Sequence, residues 1–229
     1  MNECGSLQTE QPYWLEQAYS SNLSNLDTGA AQRNLHNWMR VYFVAKIFKL
    51  KNAIDFGGGD GLLCRLLKDY GLNCYIQDMY ANPTYAQGFT EPDFKTPDLV
   101  VAFEVLEHFT NPCEELKALF CADAKVIFIS TGIYKNESPD WWYLAPESGQ
   151  HIFFYTEQAL QYLANKYAYE LLIIDGNILF IKPEELSPFR RYCLKKALKG
   201  GRINRYLRKK CCCYQPLGFG RIIYSRKVR

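Results

Sequence analysis

The chain has 229 residues, 48% of them hydrophobic and 22% charged, with a net charge of +3. That length suits one α/β domain with extra helices at its ends, and the composition excludes a chain too polar to build a core. No apolar run reaches the ~18 residues of a spanning helix, and Met1-Asn2-Glu3-Cys4 lacks the basic start and apolar stretch of a secretory leader, so a cytoplasmic setting is expected.

Residues 12–19, opened by Pro12, read as a short helix. Leu35, Trp38, Met39, Tyr42, Phe43 and Ile47 recur at i, i+3, i+4 spacing, which predicts a longer amphipathic helix. An α/β rhythm follows. Ala53–Phe56 is a short buried strand ending in glycines. Leu62, Leu63, Leu66, Leu67 and Tyr70 form one helical face, with Gly71 as its C-terminal stop. Cys74–Gln77 is a second strand, and Asp98–Phe103 a third whose unbroken apolar run fits burial on both faces. Asn111 and Pro112 open another helix as cap and first-turn residue. Val126–Ser130 is a strand, and Thr156 caps a helix running to Lys166. Residues 169–175 and 178–181 pair around Asp175-Gly176-Asn177, a hairpin turn.

The nine cysteines include no C-x-x-C pair, so zinc-ribbon and thioredoxin-type readings are weak and reduced thiols are expected. All 24 acidic residues lie at or before Glu185, whereas the tail after Leu186 carries 14 Lys and Arg. The tail includes Phe189–Lys199, which alternates cationic and apolar positions, then Arg202–Lys210 beside Cys211, Cys212 and Cys213. Such a tail docks on the acidic body or meets an anionic partner, a membrane surface ahead of nucleic acid.

Asp55-Phe56-Gly57-Gly58-Gly59-Asp60-Gly61 follows a strand and opens a helix. Glycines allow a tight turn and close approach to a ligand, and the helix start offers N–H groups to a ligand carboxylate. A nicotinamide site would want glycine at the sixth position from Gly57, and Leu62 stands there. A phosphate loop would want Gly-Lys-Ser/Thr, which is absent. Asp78 follows Gly57 by 21 residues at the end of the next strand, where a carboxylate can accept from both hydroxyls of a ribose. Met79 and Tyr80 are placed to pack on an adenine face.

After the strand from Asp98 comes Glu104-Val105-Leu106-Glu107-His108. The glycine loop, the distal acid and this segment, in this order, resemble class I S-adenosylmethionine-dependent methyltransferases, in the group with E-V-x-E-H after the fourth strand. That group includes the ubiquinone-biosynthesis O-methyltransferases. The resemblance covers about residues 50–182 and is silent on the substrate.

It implies a Rossmann-like α/β sandwich with a mostly parallel seven-stranded sheet and a C-terminal antiparallel hairpin, preceded by N-terminal helices. The expected division is a helical lid or extension over 1–50, the methyltransferase domain over 51–183 and a basic extension over 184–229. S-adenosylmethionine is the implied cofactor and S-adenosylhomocysteine its product. Asp55, Gly57, Gly58, Gly59, Asp78, Met79, Phe103 and Glu104 are the expected cofactor residues.

On the acceptor side stands a long aromatic loop from Tyr134 to Tyr155. In similar small-molecule methyltransferases a histidine precedes the helix after this loop, so His151 is the expected catalytic base or substrate binder. Trp142, His108, Tyr19 and Arg33 are the expected substrate contacts, the last two through an N-terminal segment folded over the site. Glu104, Glu107 and His108, at i, i+3 and i+4, would share a helical face and could ligate a metal, although no metal is expected. The expected reaction is methyl transfer to oxygen or nitrogen of a small-molecule or glycan- or lipid-linked acceptor. A nucleic acid methyltransferase using the basic tail and a non-catalytic cofactor-binding module are the alternatives.

Overall fold

The computed structural model describes residues 4–14 and 29–199. Strand β1 is Leu7–Gln8. Helix α1, Ala30–Phe48, forms where the apolar spacing predicts one, but of the predicted face only Met39 is fully buried, Trp38, Tyr42, Phe43 and Ile47 are half-buried and Leu35 is exposed; the helix ends at Lys49, whose φ of 58° turns the chain into the sheet. Then come β2 (Asn52–Phe56), α2 (Leu62–Asp69), β3 (Asn73–Gln77), β4 (Leu99–Phe103), α3 (Pro112–Cys121) and β5 (Val126–Ser130). The remainder is β6 (Phe153–Phe154), α4 (Glu157–Lys166), β7 (Glu170–Ile174), β8 (Asn177–Ile181) and α5 (Pro188–Leu198).

The main sheet runs β3-β2-β4-β5-β8-β7. The first four strands are parallel, and β8 and β7 return antiparallel. The closing hairpin turns on Asp175 (φ 51°) and Gly176 (φ 77°), two successive positive φ values that suit the twist of the paired strands. The order reverses at β2. The chain leaves β2 through α2 to reach β3 on one side, and β4 lies on the other. A ligand crevice is expected at such a reversal, beyond the carboxyl ends of the strands.

The sheet among the described residues has six strands, not the seven expected. The missing strand would fall between β3 and β4. That stretch contains Pro83, Pro92, Pro97 and Gly88. Each proline removes a ladder donor, and the backbone follows turns and bends instead. A two-stranded ribbon that the sequence did not signal pairs Leu7 with Phe154 and Gln8 with Phe153.

Alternation along the strands divides the core. Ala53, Leu99, Val101, Val126, Phe128, Leu179 and Ile181 face α1, α2 and α5. Ile54, Val100, Ala102, Ile127, Ile129, Ile178 and Phe180 face α3 and α4. Each such Val, Leu, Ile or Phe side chain, fully buried, contributes about 1.5–3 kcal/mol. Helix α1 supplies Met39, Val41, Val44, Ala45 and Phe48 to the first layer, so this part of the N-terminal extension is packed into the sandwich.

The start of the basic tail docks on the body. Leu194 and Leu198 of α5 are buried in the first layer, while Arg190 pairs with Glu185 at 2.5 Å and Arg191 with Glu170 at 2.6 Å. Part-exposed pairs of this kind contribute little, so the two leucines are the anchors. Arg202–Lys210 and Cys211–Cys213 lie outside the described residues. Among those residues no helix is long and apolar enough to cross a membrane.

Two helix starts test the capping assignments. Thr156 Oγ1 accepts from Ala159 N at 3.1 Å, as expected of a cap. The Asn111 side chain makes no capping bond. Instead, the carboxylate of Glu115, one position past the N3 site of a capping box, reaches back to accept from Asn111 N at 2.8 Å.

Candidate functional site

The glycine loop lies where β2 gives way to α2. Gly57 adopts φ 66°, and a Cβ there would meet both Val105 methyls at 2.8 Å. A Cβ on Gly58 would lie 2.6 Å from Asp55 Oδ2, whereas one on Gly59 (φ 55°) would meet nothing within 4 Å. Two glycines therefore bring the loop against its own protein, and the third borders open space.

Asp55 is turned inward. It is 2% exposed, and its Oδ2 accepts from Cys64 N at 3.1 Å. One of the helix-start donors available to a ligand is thus taken by the protein. Burial pushes the Asp55 carboxyl up to about 7, against the lowering effect of the Cys64 N–H and with a contribution from Asp78. Its geometry supports the loop from beneath rather than offering a carboxylate to the crevice.

Asp78 clamps the other side. One oxygen accepts from Gly59 N at 2.9 Å, and the second accepts from Tyr80 N and Ala81 N at 2.8 Å each. Part of its surface remains accessible. Met79 and Tyr80, which follow it, are 80% and 83% exposed.

Past β4 the chain turns sharply. Glu104 has φ 55°, and only Leu106–His108 forms a short 3-10 turn. The shared helical face expected for Glu104, Glu107 and His108 is therefore absent, because the left-handed corner at Glu104 breaks the periodicity. The half-buried Phe103 ring packs edge-on against Phe128 with centroids 5.0 Å apart.

The aromatic loop folds over this corner. Gly132 lets it approach, since a Cβ there would lie 2.3 Å from the Tyr143 ring. The Tyr143 hydroxyl lies 3.0 Å from Glu104 Oε2, 2.6 Å from Glu107 Oε1 and 3.4 Å from Thr131 Oγ1. Ser130 Oγ donates to Glu104 Oε1 at 2.7 Å. Burial, with the Glu104 charge beside it, pushes Glu107 up to about 8. Burial and the two carboxylates push the Tyr143 hydroxyl up as well.

His108 and His151 meet edge to face, 5.0 Å apart. His108 Nδ1 lies 3.0 Å from the Gln150 carbonyl oxygen, and His151 Nδ1 lies 2.7 Å from that of Tyr143. A carbonyl only accepts, so both Nδ1 atoms carry the proton and both Nε2 atoms carry a lone pair. Burial, with His151 nearby, lowers His108 to about 4, and burial lowers His151 too. One ligand atom from each of Glu107, His108 and His151 falls within 4.8 Å of the others.

Trp142 stands at the loop surface, 80% exposed. Arg33 is exposed in the first turns of α1, and Tyr19 lies outside the described residues. The N-terminal segment does cross the loop: Trp14 Nε1 donates to the Gly149 carbonyl at 2.8 Å, and Thr9 N to that of Ile152 at 3.0 Å. Sequence reasoning missed Tyr143 and Gly132. Neither carries a periodic signal, and their partners are remote in sequence.

The sequence of residues 26–173 matches the family described as a methyltransferase domain. Solved structures share the fold. Magnesium protoporphyrin IX methyltransferase from Synechocystis PCC 6803, with bound S-adenosylhomocysteine, is 14% identical at a TM-score of 0.50, covering 75% of this chain and 97% of that one. An O-methyltransferase family protein from Burkholderia thailandensis is 14% identical at 0.53, covering 73% and 61%. The methyltransferase domain of a bacterial Hen1 protein is 20% identical at 0.47, covering 65% and 98%. None of the curated proteins matches the chain.

The chain belongs to the methyltransferase-domain family and is a class I S-adenosylmethionine-dependent methyltransferase. S-adenosylmethionine is its cofactor. The residues present fit that ligand, with open space at Gly59, a part-accessible carboxylate at Asp78 and exposed Met79 and Tyr80 beside it.

Proposed function

We propose that this methyltransferase acts on an oxygen or nitrogen of a small-molecule or glycan-type acceptor held between the glycine loop and the aromatic loop. The observation that carries the reading is the closure of the aromatic loop over the corner after β4, through Tyr143 and the two carboxylates. In this reading Trp142 and His151, whose rings flank Tyr143, face the ligand crevice expected beyond the strand ends.

S-adenosylmethionine supplies a sulfonium methyl group already activated for transfer. The protein's task is therefore to align the acceptor and exclude water. Gly57, Gly58 and Gly59 shape the cofactor cradle and Asp78 receives the ribose, while Asp55 holds the cradle from below. Glu104 borders the cofactor through the corner it forms. Trp142 offers an exposed ring to the acceptor, with His108 and His151 behind it.

Calorimetric titration with S-adenosylmethionine, S-adenosylhomocysteine and NAD tests the cofactor half. Saturable binding of the sulfur nucleotides without NAD is the expected result. Asp78→Ala weakens that binding by about 1.5–3 kcal/mol, the usual value of hydrogen bonds to a charged group; an unchanged affinity removes Asp78 from the ribose. Labelled methyl transfer to a panel of hydroxyl and amine acceptors tests the other half. Transfer to RNA or DNA alone would reject the small-acceptor reading.

A further inference from the structure

We infer that helix α5 docks on an anionic lipid surface through the face it turns away from the protein. The inference rests on this helix and not on the methyl-transfer reading.

The helix is held in one orientation. Ser187 Oγ accepts from Arg190 N at 3.2 Å and Pro188 takes the first helical position, which fixes where the helix starts. Leu194 and Leu198 are buried in the layer that faces α1, and the Arg190 guanidinium lies 5.2 Å from the centre of the Phe48 ring of α1. At about 3.6 residues per turn, positions 189, 192, 195, 196 and 199 fall on the side opposite the two leucines. Phe189, Tyr192, Lys195, Lys196 and Lys199 are all exposed, Phe189 at 74%.

That face has the chemistry of an interfacial helix. Aromatic rings enter the boundary between headgroups and acyl chains, while ammonium groups on long stems remain among the anionic headgroups. The three lysines form no ion pair among the described residues; Lys196 Nζ lies 4.9 Å from the centre of the Tyr192 ring. Nine more Lys and Arg and no acid follow in the sequence from Gly200 to Arg229, whereas every acid of the chain lies at or before Glu185. An anionic surface therefore attracts this end of the protein and repels the rest, which orients the approach.

Two features favour a membrane over nucleic acid. Arginine is the residue that grips phosphate through two parallel hydrogen bonds, and both arginines of α5 are turned to the body, Arg190 paired with Glu185 and Arg191 with Glu170. The outward cations are lysines, point charges suited to a diffuse field. Beside them stands the ring of Phe189, which has no hydrogen-bonding group and gains nothing from a duplex backbone.

Cosedimentation of the full chain with lipid vesicles tests the inference. The expected result is binding to equimolar phosphatidylcholine and phosphatidylglycerol, none to phosphatidylcholine alone, and a decline with added salt as the charges are screened. A lysine close to an anionic surface is worth about fivefold in affinity. Replacing Lys195, Lys196 and Lys199 together by Gln therefore weakens binding by about a hundredfold. Phe189→Ala with Tyr192→Ala weakens it about tenfold through lost apolar burial. In Phe189→Trp the emission gains a blue-shifted component on the anionic vesicles. S-adenosylhomocysteine binding and the urea midpoint, measured on the same samples, report separately on the cofactor site and on folding. Absence of binding to the anionic vesicles overturns the inference. So does vesicle binding that neither the lysine nor the aromatic variant weakens, which would assign it to residues 200–229 alone, or binding to RNA or duplex DNA in preference to the vesicles at the same salt.

Discussion

Gly57 is where the two main motifs touch, and Gly57→Ala puts a number on that contact. The backbone there has φ 66°, and the added Cβ would lie 2.8 Å from Val105 Cγ1 and Cγ2. The left-handed conformation costs a residue with a Cβ about 1–2 kcal/mol. Overpacking against a side chain anchored in the corner after β4 costs about 1–3 kcal/mol more. The expected destabilisation is therefore ~2–5 kcal/mol. Val105→Ala, introduced into the same variant, removes the overpacking and leaves the backbone strain. The double variant should recover ~1–3 kcal/mol relative to the sum of the two single changes, a coupling of the size seen for residues in contact. Urea denaturation followed by circular dichroism measures all four corners of this cycle at matched slopes. A Gly57→Ala loss below about 1 kcal/mol, or strict additivity with Val105→Ala, would refute the close packing of the glycine loop against Val105.

Two further outcomes follow from buried groups at the site. The Asp55 carboxyl is raised from 3.8 to about 7 in the fold, so the native state keeps a proton that the unfolded chain releases. Its contribution to stability is full below about pH 4 and is lost as pH rises toward 7, by up to about 4 kcal/mol. Asp55→Asn keeps an acceptor for Cys64 N and removes this slope. Its urea midpoint should gain on that of the wild type between pH 5 and pH 8, and parallel profiles would show that Asp55 does not titrate in this range. Tyr143→Phe takes away the hydroxyl shared by Glu104 and Glu107 while keeping the ring against Gly132. The expected loss is about 1–3 kcal/mol for buried acceptors left unpaired, read from the same denaturation assay. A variant as stable as the wild type would mean that the two carboxylates find another donor.

The strands and helices that position the site were legible because their signals are local. Unbroken apolar runs marked β4 and β5, Asp175-Gly176 marked the hairpin, and Thr156 marked the start of α4. The glycine loop and Asp78 were legible for the same reason, as a fixed spacing across one strand–helix–strand unit. What misled was periodicity carried across a break. Glu104, Glu107 and His108 have helical spacing, yet Glu104 takes a left-handed φ and the helix does not form. The seventh strand was expected from resemblance, and the prolines between Met79 and Asp98 withhold the donors it would need.

Order along the chain thus determined the class of fold, the cofactor and the place of the glycine loop, since each depends on residues within one or two consecutive elements. Tertiary structure alone decided what surrounds the acceptor side. Tyr143 reaches Glu107 across 36 positions, and His108 reaches the Gln150 carbonyl across 42. It also turned Asp55 inward, because a side chain's direction follows from the packing around it and not from its spacing in the sequence.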